Sequence, residues 1–582
     1  MNTFRVWAPR PRKVEVQAGN KVLPMSAGAD GWWTAETPAE PGGDYGFILD
    51  GAGPFPDPRS PWQPHGVHAL SRLVDHGTFR WSDAGWQPPL LSAAVIYELH
   101  VGTFTPAGTF AAAIERLAHL AALGVTHVEL MPVNEFPGDR GWGYDGVALF
   151  APHHVYGGPR GLKELVDACH ARGLAVLLDV VYNHLGPSGN YLDCFGPYLT
   201  TRYAALWGPT FNLDGPDSDQ VRRFLCDNAR MWLRDYHLDG LRLDAVHAMV
   251  DTSAEPLLEQ FGVEVRKLQA ELGRRLVLIA ESDANDPRLL WPRERGGFGL
   301  DAQWNDDFHH ALHAVLTGER NGYFADFGTL AQLGKALRQA YVLDGCYSVH
   351  RRRRHGRPPA GLCGRRFLAY LQNHDQIGNR AQGERSRKLM SLGRLKAGAA
   401  LVFTSPFVPM LFQGEEWGAA TPFLYFTDHR EPKLAQAVRE GRQREFAAFG
   451  WRPEEIPDPE ARETFELSKL NWSEIPQSPH LDLLAWHRQL IRLRRVEPAL
   501  TDGRLDLVRA QWDEQGCWLT VERGVITTAC NFAAAPQRVR LRAGKQRALM
   551  ISETGIVAGD GFVELPPDSA AIVKLDENSR RP

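Results

Sequence analysis

Three stretches of the chain differ in how hydrophobic and polar residues alternate. Residues 1 to about 88 contain short apolar runs, such as FRVWAP and KVEVQA, with Gly, Pro or Asp between them. Runs of this length and spacing predict the strands of a small β-sandwich. The tail from about residue 505 has the same texture in LDLVRA, CWLTVERG and VITTACNF. We therefore expect an all-β region at each end of the chain.

Between these ends, short apolar runs alternate with longer helical patterns. One helical pattern places Phe110, Ile114 and Leu117 on one face and stops at Gly124. The apolar runs predict eight strands, at residues 94–101, 125–133, 175–181, 240–246, 276–281, 300–304, 366–375 and 406–416. Alternation of this kind indicates parallel β/α units, and eight of them over about 400 residues predict a closed (β/α)8 barrel with loop insertions.

The predicted fold is thus an α/β protein built from three domains. We expect an N-terminal β-sandwich of carbohydrate-binding type over residues 1–88 and a (β/α)8 TIM barrel over 89–504. A C-terminal all-β domain should occupy 505–582.

Composition narrows the class of protein. Hydrophobic residues make up 43% and charged residues 23%, which is typical of a globular chain rather than a disordered one. The net charge of −4 disfavours a nucleic-acid binder. We expect neither a secretory leader nor a membrane span, because no long apolar stretch occurs. The seven cysteines are scattered without a C-x-x-C pair, which predicts free thiols in a reducing cytoplasm.

Reactive side chains stand at the ends of several predicted strands. They are Asp179 and His184 on the third strand, Arg242 and Asp244 on the fourth, Glu281 on the fifth, and His374 and Asp375 on the seventh. Barrel active sites lie at the carboxyl ends of the strands, so these groups should meet at one rim. An ion-pair network that serves packing alone would not need so many charges in one place. Metal-ligand spacing is missing, so we expect neither a metal nor a cofactor.

The alternation of side chains along the fourth strand distinguishes two of the carboxyl groups. Leu241 and Leu243 should point outward, so Arg242 and Asp244 should both point into the barrel. The guanidinium favours the ionised form of Asp244, whereas partial burial should raise the pKa of Glu281 and keep it protonated. One anionic and one protonated carboxyl group about 5–5.5 Å apart is the arrangement that retaining glycoside hydrolysis requires.

Four segments resemble the conserved regions of the α-amylase superfamily of glycoside hydrolases, in the same order and at typical spacing. They are DVVYNH (179–184), GLRLDAVH (240–247), Glu281 after LVLIA, and QNHD (372–375). The resemblance covers nearly the whole chain. It implies that Asp244 is the nucleophile, that Glu281 is the general acid/base, and that Asp375 stabilises the transition state.

The same resemblance implies which residues bind the sugar. His184, Arg242 and His374 would contact it in the subsite where the bond is cut. Tyr144 of GWGYDGV would stack on it, as in branching enzymes and their relatives. Many amylases have Lys-His after the nucleophile where this chain has AVH, and His247 of that segment is expected to bind substrate.

Two further segments narrow the resemblance. AESDANDPRL and AQWNDDFHHALH are similar to superfamily members that hydrolyse malto-oligosyltrehalose at the α-1,4 bond beside its terminal α,α-trehalose. This implies malto-oligosyltrehalose as substrate, trehalose and a malto-oligosaccharide as products, and malto-oligosyltrehalose synthase as a pathway neighbour. Two alternatives stay open: a 1,4-α-glucan branching enzyme on the same scaffold, and a non-catalytic glycan-binding protein.

Several other polar residues have two interpretations. A first group, which could read the trehalose hydroxyls, consists of Asp283, Asn285, Trp304 and Asp306. Alternatively, Asp306 or Asp307 could cap the helix that follows. For the remaining groups we favour structural or solvated roles over metal or nucleic-acid binding. These are His153 with His154 as structural residues, His309, His310 and His313 on a solvated helix face, and Arg351 to Arg354 in a solvated loop near the substrate.

Overall fold

A closed barrel of eight parallel strands forms the centre of the molecule, which confirms the predicted fold class. The computed structural model describes residues 2–37, 40–205, 207–447 and 451–576. The barrel strands are β1 (Ile96–Leu99), β2 (His127–Leu130), β3 (Ala175–Val180), β4 (Gly240–Leu243), β5 (Val277–Ala280), β6 (Ala302–Trp304), β7 (Phe367–Ala369) and β8 (Val408–Phe412). Each lies inside the apolar run that predicted it.

Helices surround the barrel and line its loops. The longer ones are Gly158–His170, Ser218–Asp235, Leu257–Leu272, Asp306–Thr317, Leu330–Gln339, Leu392–Thr404, Pro432–Ala447 and His480–Val496. The shorter ones are Val101–Phe104, Phe110–Ile114, Leu117–Leu123, Leu192–Phe195, His374–Gly378, Ser386–Leu389, Arg462–Leu467 and Pro498–Thr501. The single helix predicted up to Gly124 is thus divided in two. Its predicted end is right, because Gly124 adopts φ +102° there.

The barrel interior is apolar in its lower part and charged near the carboxyl ends of the strands. Ile96, Leu177 and Ile279 belong to a fully buried apolar cluster inside the barrel. Side chains point to the same face at every second position, so the next inward residue on β1 is Glu98 and on β3 is Asp179. The charged groups are therefore held on rigid strands above a packed apolar layer.

Sheets flank the barrel at both ends of the chain. At the N-terminus a three-stranded sheet packs on a five-stranded one, with the Phe4 and Tyr45 rings 5.1 Å apart. Their strands are Asn2–Trp7, Val14–Ala18, Lys21–Pro24, Ser26–Ala27, Trp32–Thr37, Asp44–Leu49, Ala52–Phe55 and Ser71–Arg72. At the C-terminus a seven-stranded sheet contains Val508–Asp513, Trp518–Arg523, Ile526–Asn531, Gln537–Ile551, Val557–Ala558, Asp560–Leu565 and Ser569–Leu575. The domain boundaries at 88/89 and 504/505 remain our proposal.

Six further strands form three two-stranded antiparallel sheets in the loops between these elements. They are Asn134–Glu135 with Ala148–Pro152, Leu199–Ala205 with Gly208–Phe211, and Tyr347–Ser348 with Arg353–Arg354. None of the helices in the described ranges combines the length and the apolar composition that a membrane-spanning segment needs.

The helix Asp306–Thr317 corrects two predictions. Its histidines do not lie on a solvated face: His309 is 1% and His313 is 4% exposed. The ring of His313 stacks on Phe324, 4.4 Å away, and its Nε2 lies 2.7 Å from Glu319. The cap is also different, since Asn305 rather than either of the two aspartates after it accepts the hydrogen bond from the first turn.

Candidate active site

The guanidinium of Arg242 is the centre of the charged layer. The side chain is fully buried, and its Nη1 donates to both oxygens of Asp179 at 2.8 and 2.9 Å. The same Nη1 donates to Oδ1 of Asp244 at 2.5 Å, while Nη2 lies 3.8 Å from Oε2 of Glu281. Trp304 packs beneath the guanidinium, with Cζ 4.3 Å from the ring centroid. One cation therefore contacts carboxylates from three different strands.

Both carboxylate oxygens of Asp244 are hydrogen-bonded. Oδ1 accepts from Arg242, and Oδ2 accepts from the Asn183 side chain at 2.8 Å. Arg242 and Asp244 face the barrel interior, as the alternation along β4 predicts. Two fixed donors hold the carboxylate in one orientation at the carboxyl end of the strand.

Glu281 has a different environment. Burial raises its pKa well above the usual range, and the charge of Asp244 raises it further against the opposing effect of Arg242. Its Oε2 accepts a hydrogen bond from the backbone N–H of Ala245 at 2.6 Å. Ala245 adopts a left-handed conformation, φ 41° and ψ 49°, which is uncommon for a residue with a side chain. This strained turn directs the peptide N–H after Asp244 towards Glu281.

Asp375, the third carboxylate, joins the cluster through His374 and Tyr144. His374 Nε2 lies 3.4 Å from Oδ1 of Asp375 and 2.8 Å from the Tyr144 hydroxyl. That hydroxyl donates to Oδ2 of Asp179 at 2.6 Å, so the network returns to Arg242. Burial opposes ionisation of Asp375, but the charge and hydrogen bond of His374 outweigh it and lower the pKa. The structure therefore brings the three predicted carboxylates to one rim.

Aromatic and imidazole rings line the same rim. Tyr144 stacks on His374, with ring centroids 5.3 Å apart and planes inclined by 24°. His184 stacks on Trp207, a half-exposed residue of the hairpin after β3, at 5.3 Å and 21°. The His184 Nδ1 is hydrogen-bonded to Asn183, and burial lowers the pKa of its ring, so that it is neutral.

His247 lies farther out. It is exposed, and its Nδ1 is 4.0 Å from Oδ1 of Asp283. Asp283 in turn accepts from Arg351 Nη2 at 2.7 Å, and its backbone carbonyl bonds the His355 ring at 2.7 Å. Asp283 thus joins Arg351 of the arginine loop to His247. That this loop lies near the substrate stays a prediction.

The other three residues considered for trehalose recognition are placed differently. Asn285 is 3% and Trp304 is 1% exposed, so both belong to the packed interior. Asn285 donates to the backbone carbonyl of Leu343 at 2.9 Å. Asp306 accepts from the Tyr370 hydroxyl at 2.6 Å, and burial raises its pKa to about 7.

Glu135, His153 and His154 form the single cluster of metal-ligand type within the described ranges. Glu135, the carboxylate of this cluster, was not singled out from the sequence. Glu135 accepts from the backbone N–H of His154 at 2.9 Å and from its Nδ1 at 2.7 Å. His153 Nδ1 accepts from the N–H of Val155, which places the proton of a neutral ring on Nε2 and leaves no lone pair there for a metal. Hydrogen bonds thus pair His154 with Glu135, whereas Nε2 of the buried His153 has no hydrogen-bond partner among the described residues.

A parallel eight-stranded barrel with three carboxylates around one arginine at its carboxyl-end rim defines a glycoside hydrolase of the α-amylase type. In agreement, the family model for the alpha amylase catalytic domain matches residues 78–196.

Longer comparisons are more specific. A malto-oligosyltrehalose trehalohydrolase of Arthrobacter ramosus is 50% identical over 579 residues, 98% of this chain and 99% of that protein. The chain belongs to the malto-oligosyltrehalose trehalohydrolase family. A crystal structure of a putative α-amylase from Salmonella typhimurium superposes with a TM-score of 0.90 at 38% identity, over 98% of this chain and 97% of that one. A 1,4-alpha-glucan branching enzyme of Pseudoalteromonas atlantica is 31% identical but covers only 54% of this chain and 49% of its own.

Three residues of the site were not singled out from the sequence. Asn183 lies inside the DVVYNH segment, so the segment itself carried that signal. Glu98 lies at the end of β1, where its carboxylate bonds His374. Trp207 lies in a loop insertion with no recognisable pattern, and only its stacking on His184 marks it.

Proposed function

We propose that this protein hydrolyses the α-1,4-glucosidic bond next to the terminal α,α-trehalose of malto-oligosyltrehalose, with release of trehalose and a malto-oligosaccharide. The near-full-length identity of 50% to a malto-oligosyltrehalose trehalohydrolase carries this proposal. The carboxylate cluster around Arg242 supplies groups for the chemistry. The similarity to the branching enzyme covers about half of this chain, so glycosyl transfer is the weaker alternative.

In our proposed mechanism, Asp244 is the nucleophile and Glu281 the general acid. Hydrogen bonds from Arg242 and Asn183 hold the two oxygens of Asp244 in one orientation. Glu281 uses Oε2 to accept the peptide N–H of Ala245, so Oε1 carries its proton. Its raised pKa supports this protonated state near neutral pH.

Two displacements complete the proposed reaction. Asp244 attacks the anomeric carbon while Glu281 gives its proton to the departing glycosidic oxygen, which leaves trehalose and a glycosyl ester. Glu281, now a carboxylate, then takes a proton from water, and the hydroxide attacks the anomeric carbon and frees Asp244. Asp375 would bind the ring hydroxyls more strongly as positive charge develops at the anomeric carbon. The separation of about 5–5.5 Å between the two catalytic carboxyl groups stays a prediction.

The proposed substrate contacts follow the geometry of the rim. We place Tyr144, His184, Arg242 and His374 around the sugar whose bond is cut, and His247 on the trehalose side. Trehalose recognition would then use Asp283, which holds the exposed Arg351 loop next to His247. The substrate itself requires an enzyme of the malto-oligosyltrehalose synthase type upstream. The free state of all seven cysteines favours a reducing cytoplasm as the location.

A product assay tests the proposal. Maltotriosyl trehalose should give equal amounts of trehalose and maltotriose, the latter first as its α-anomer by NMR, and amylose should gain no branch points. Branched products without trehalose would instead support the branching-enzyme alternative. Asp244→Asn should abolish turnover and keep binding. Asp239→Asn is its matched control, because Asp239 is a buried carboxylate at the opposite end of β4, bonded to His170 at 3.0 Å. This control should lower stability and retain turnover.

A further inference from the structure

Two fully buried glutamates lie side by side in the barrel interior. Glu98 on β1 and Glu129 on β2 are register partners in the parallel pair of strands, and each is 1% exposed. They have the same chemistry, the same burial and neighbouring positions. Their hydrogen-bonding, however, differs completely.

Glu98 is bound to His374, which lies 276 residues away in the chain. Its Oε1 bonds Nδ1 of the ring, and its Oε2 accepts from the backbone N–H of His374 at 3.2 Å. The two contacts fix both the ring and the start of the short helix His374–Gly378. Among the described residues, neither carboxylate oxygen of Glu129 has a hydrogen-bond partner.

The other nitrogen of His374 faces the catalytic groups. Nε2 lies 2.8 Å from the Tyr144 hydroxyl and 3.4 Å from Oδ1 of Asp375. Since Tyr144 already donates to Asp179, its oxygen accepts from Nε2. Both ring nitrogens therefore act as donors, which is the arrangement of an imidazolium.

We propose that Glu98 is a positioning residue of this active site: its carboxylate holds His374 as an imidazolium in one orientation, directed at Tyr144 and Asp375. Glu98 touches no reacting atom and acts through His374 alone. The effect of Glu98 on kcat rests on the proposed function, whereas its effect on the protonation of His374 does not.

The electrostatics of the surroundings agree with this assignment. Burial opposes the charged form of His374, but the charges of Asp375 and Glu98 raise its pKa well above the usual range. Burial raises the pKa of Glu129 well above its usual range, and the charge of Glu98 adds to the effect. Glu129 is therefore the uncharged member of the pair. The titratable groups that face or interact with His374 are Glu98 and His100 from β1 and its end, Glu129 from β2, Asp179 from β3, Tyr144 from its loop, and Asp375 from its own helix.

The pair provides its own matched control. Glu98→Gln removes the anion and is expected to lower kcat about 10- to 150-fold, the range for loss of a hydrogen bond to a charged group. KM should change less. On the alkaline side of the pH profile, the loss of activity should begin at a lower pH than in the wild type, because His374 gives up its proton more readily without the anion. Glu129→Gln replaces an uncharged carboxyl by an amide of the same shape and should leave kcat, KM and the pH profile unchanged.

NMR of 15N-histidine-labelled protein without substrate measures the protonation state of His374 independently of catalysis. The His374 signal, identified by its loss in His374→Gln, should be that of an imidazolium at pH 7 in the wild type and Glu129→Gln, and of a neutral ring in Glu98→Gln. If Glu98→Gln does not fold, Glu98→Asp keeps the charge, so its His374 should remain an imidazolium while kcat falls.

Three results would overturn the inference: wild-type kcat and an imidazolium signal in Glu98→Gln, an equal loss of kcat in Glu129→Gln, or a neutral His374 in Glu98→Asp. Failure of the wild type to release trehalose would refute the proposed function instead, and the NMR comparison would still decide the role of Glu98.

Discussion

Replacement of Arg242 by lysine tests whether one guanidinium holds Asp244 and Glu281, the two proposed catalytic carboxyl groups, together. Lysine retains the positive charge but has a single nitrogen in place of the planar fork. In the native site, Nη1 bonds Asp179 and Asp244 at 2.5 to 2.9 Å, and Nη2 is directed at Glu281. An ammonium group at this place would lose contact with at least one of these carboxylates.

The size of the effect follows from the bonds that are lost. A hydrogen bond to a charged group contributes about 1.5–3 kcal/mol, which corresponds to roughly 10- to 150-fold in rate when it is needed in the transition state. We therefore expect Arg242→Lys to lower kcat/KM by about 10- to 150-fold. Stability should fall as well, because the site of Arg242 is fully buried and a poorly paired charge there is costly.

Kinetics on maltotriosyl trehalose, with trehalose release as the signal, measure the loss, and circular dichroism confirms that the variant is folded. Arg222→Lys is the matched control. Arg222 is also buried and bonds Asp251 at 2.9 Å, but it lies outside the carboxylate cluster. Its replacement should lower stability and leave kcat/KM near the wild-type value. A folded Arg242→Lys with kcat/KM within about threefold of the wild type would refute the role assigned to the guanidinium.

Three other substitutions have distinct expected outcomes. Glu281→Gln should lower turnover of maltotriosyl trehalose by about 10²–10⁴-fold, yet spare release of fluoride from a maltosyl fluoride, which needs no protonation; equal losses on both substrates would contradict its role as acid. Asn305→Ala should cost about 1 kcal/mol in denaturant unfolding, since the side chain accepts from the N–H of Phe308. Glu319 is held below its usual pKa, at about 2, first by its hydrogen bond with His313. The stability it contributes is present above about pH 4.5 and is lost as pH falls towards 2, so Glu319→Gln should flatten the acid side of the melting-temperature profile, and an unchanged profile would speak against the pair.

The barrel and its carboxylates could be predicted because their signals are local. A parallel strand buried on both faces has a continuous apolar sequence, and the residue that follows this apolar run lies at the active-site rim. Alternation along β4 then sufficed to direct Arg242 and Asp244 to the same side. Each of these inferences uses no more than a dozen consecutive residues.

Contacts that depend on the closure of the barrel could not be predicted. β1 pairs with β8 when the barrel closes, which brings Glu98 near the end of β7 and against His374. Nothing in the sequence around the glutamate of IYEL predicts that it binds His374. The buried histidines are a similar case, because periodicity treats histidine as polar. Phe324 and Tyr370, from separate segments, cover His313 and His309.

The protonation of Glu281, the proposed general acid, also depends on the three-dimensional structure. Two cations, Arg242 and His374, share the barrel mouth with six carboxyl groups, on Glu98, Glu129, Asp179, Asp244, Glu281 and Asp375. Burial raises the pKa of Glu129, Asp179 and Glu281, so these three groups favour the protonated form. The number of these carboxyl groups can be read from the sequence, but which of them hold protons cannot. Asp244 and Glu98 accept short hydrogen bonds from a cation, whereas Glu281 accepts its hydrogen bond from a peptide N–H. Burial raises the pKa of Glu281, and this supports a proton on Glu281, our proposed general acid, beside the proposed nucleophile Asp244.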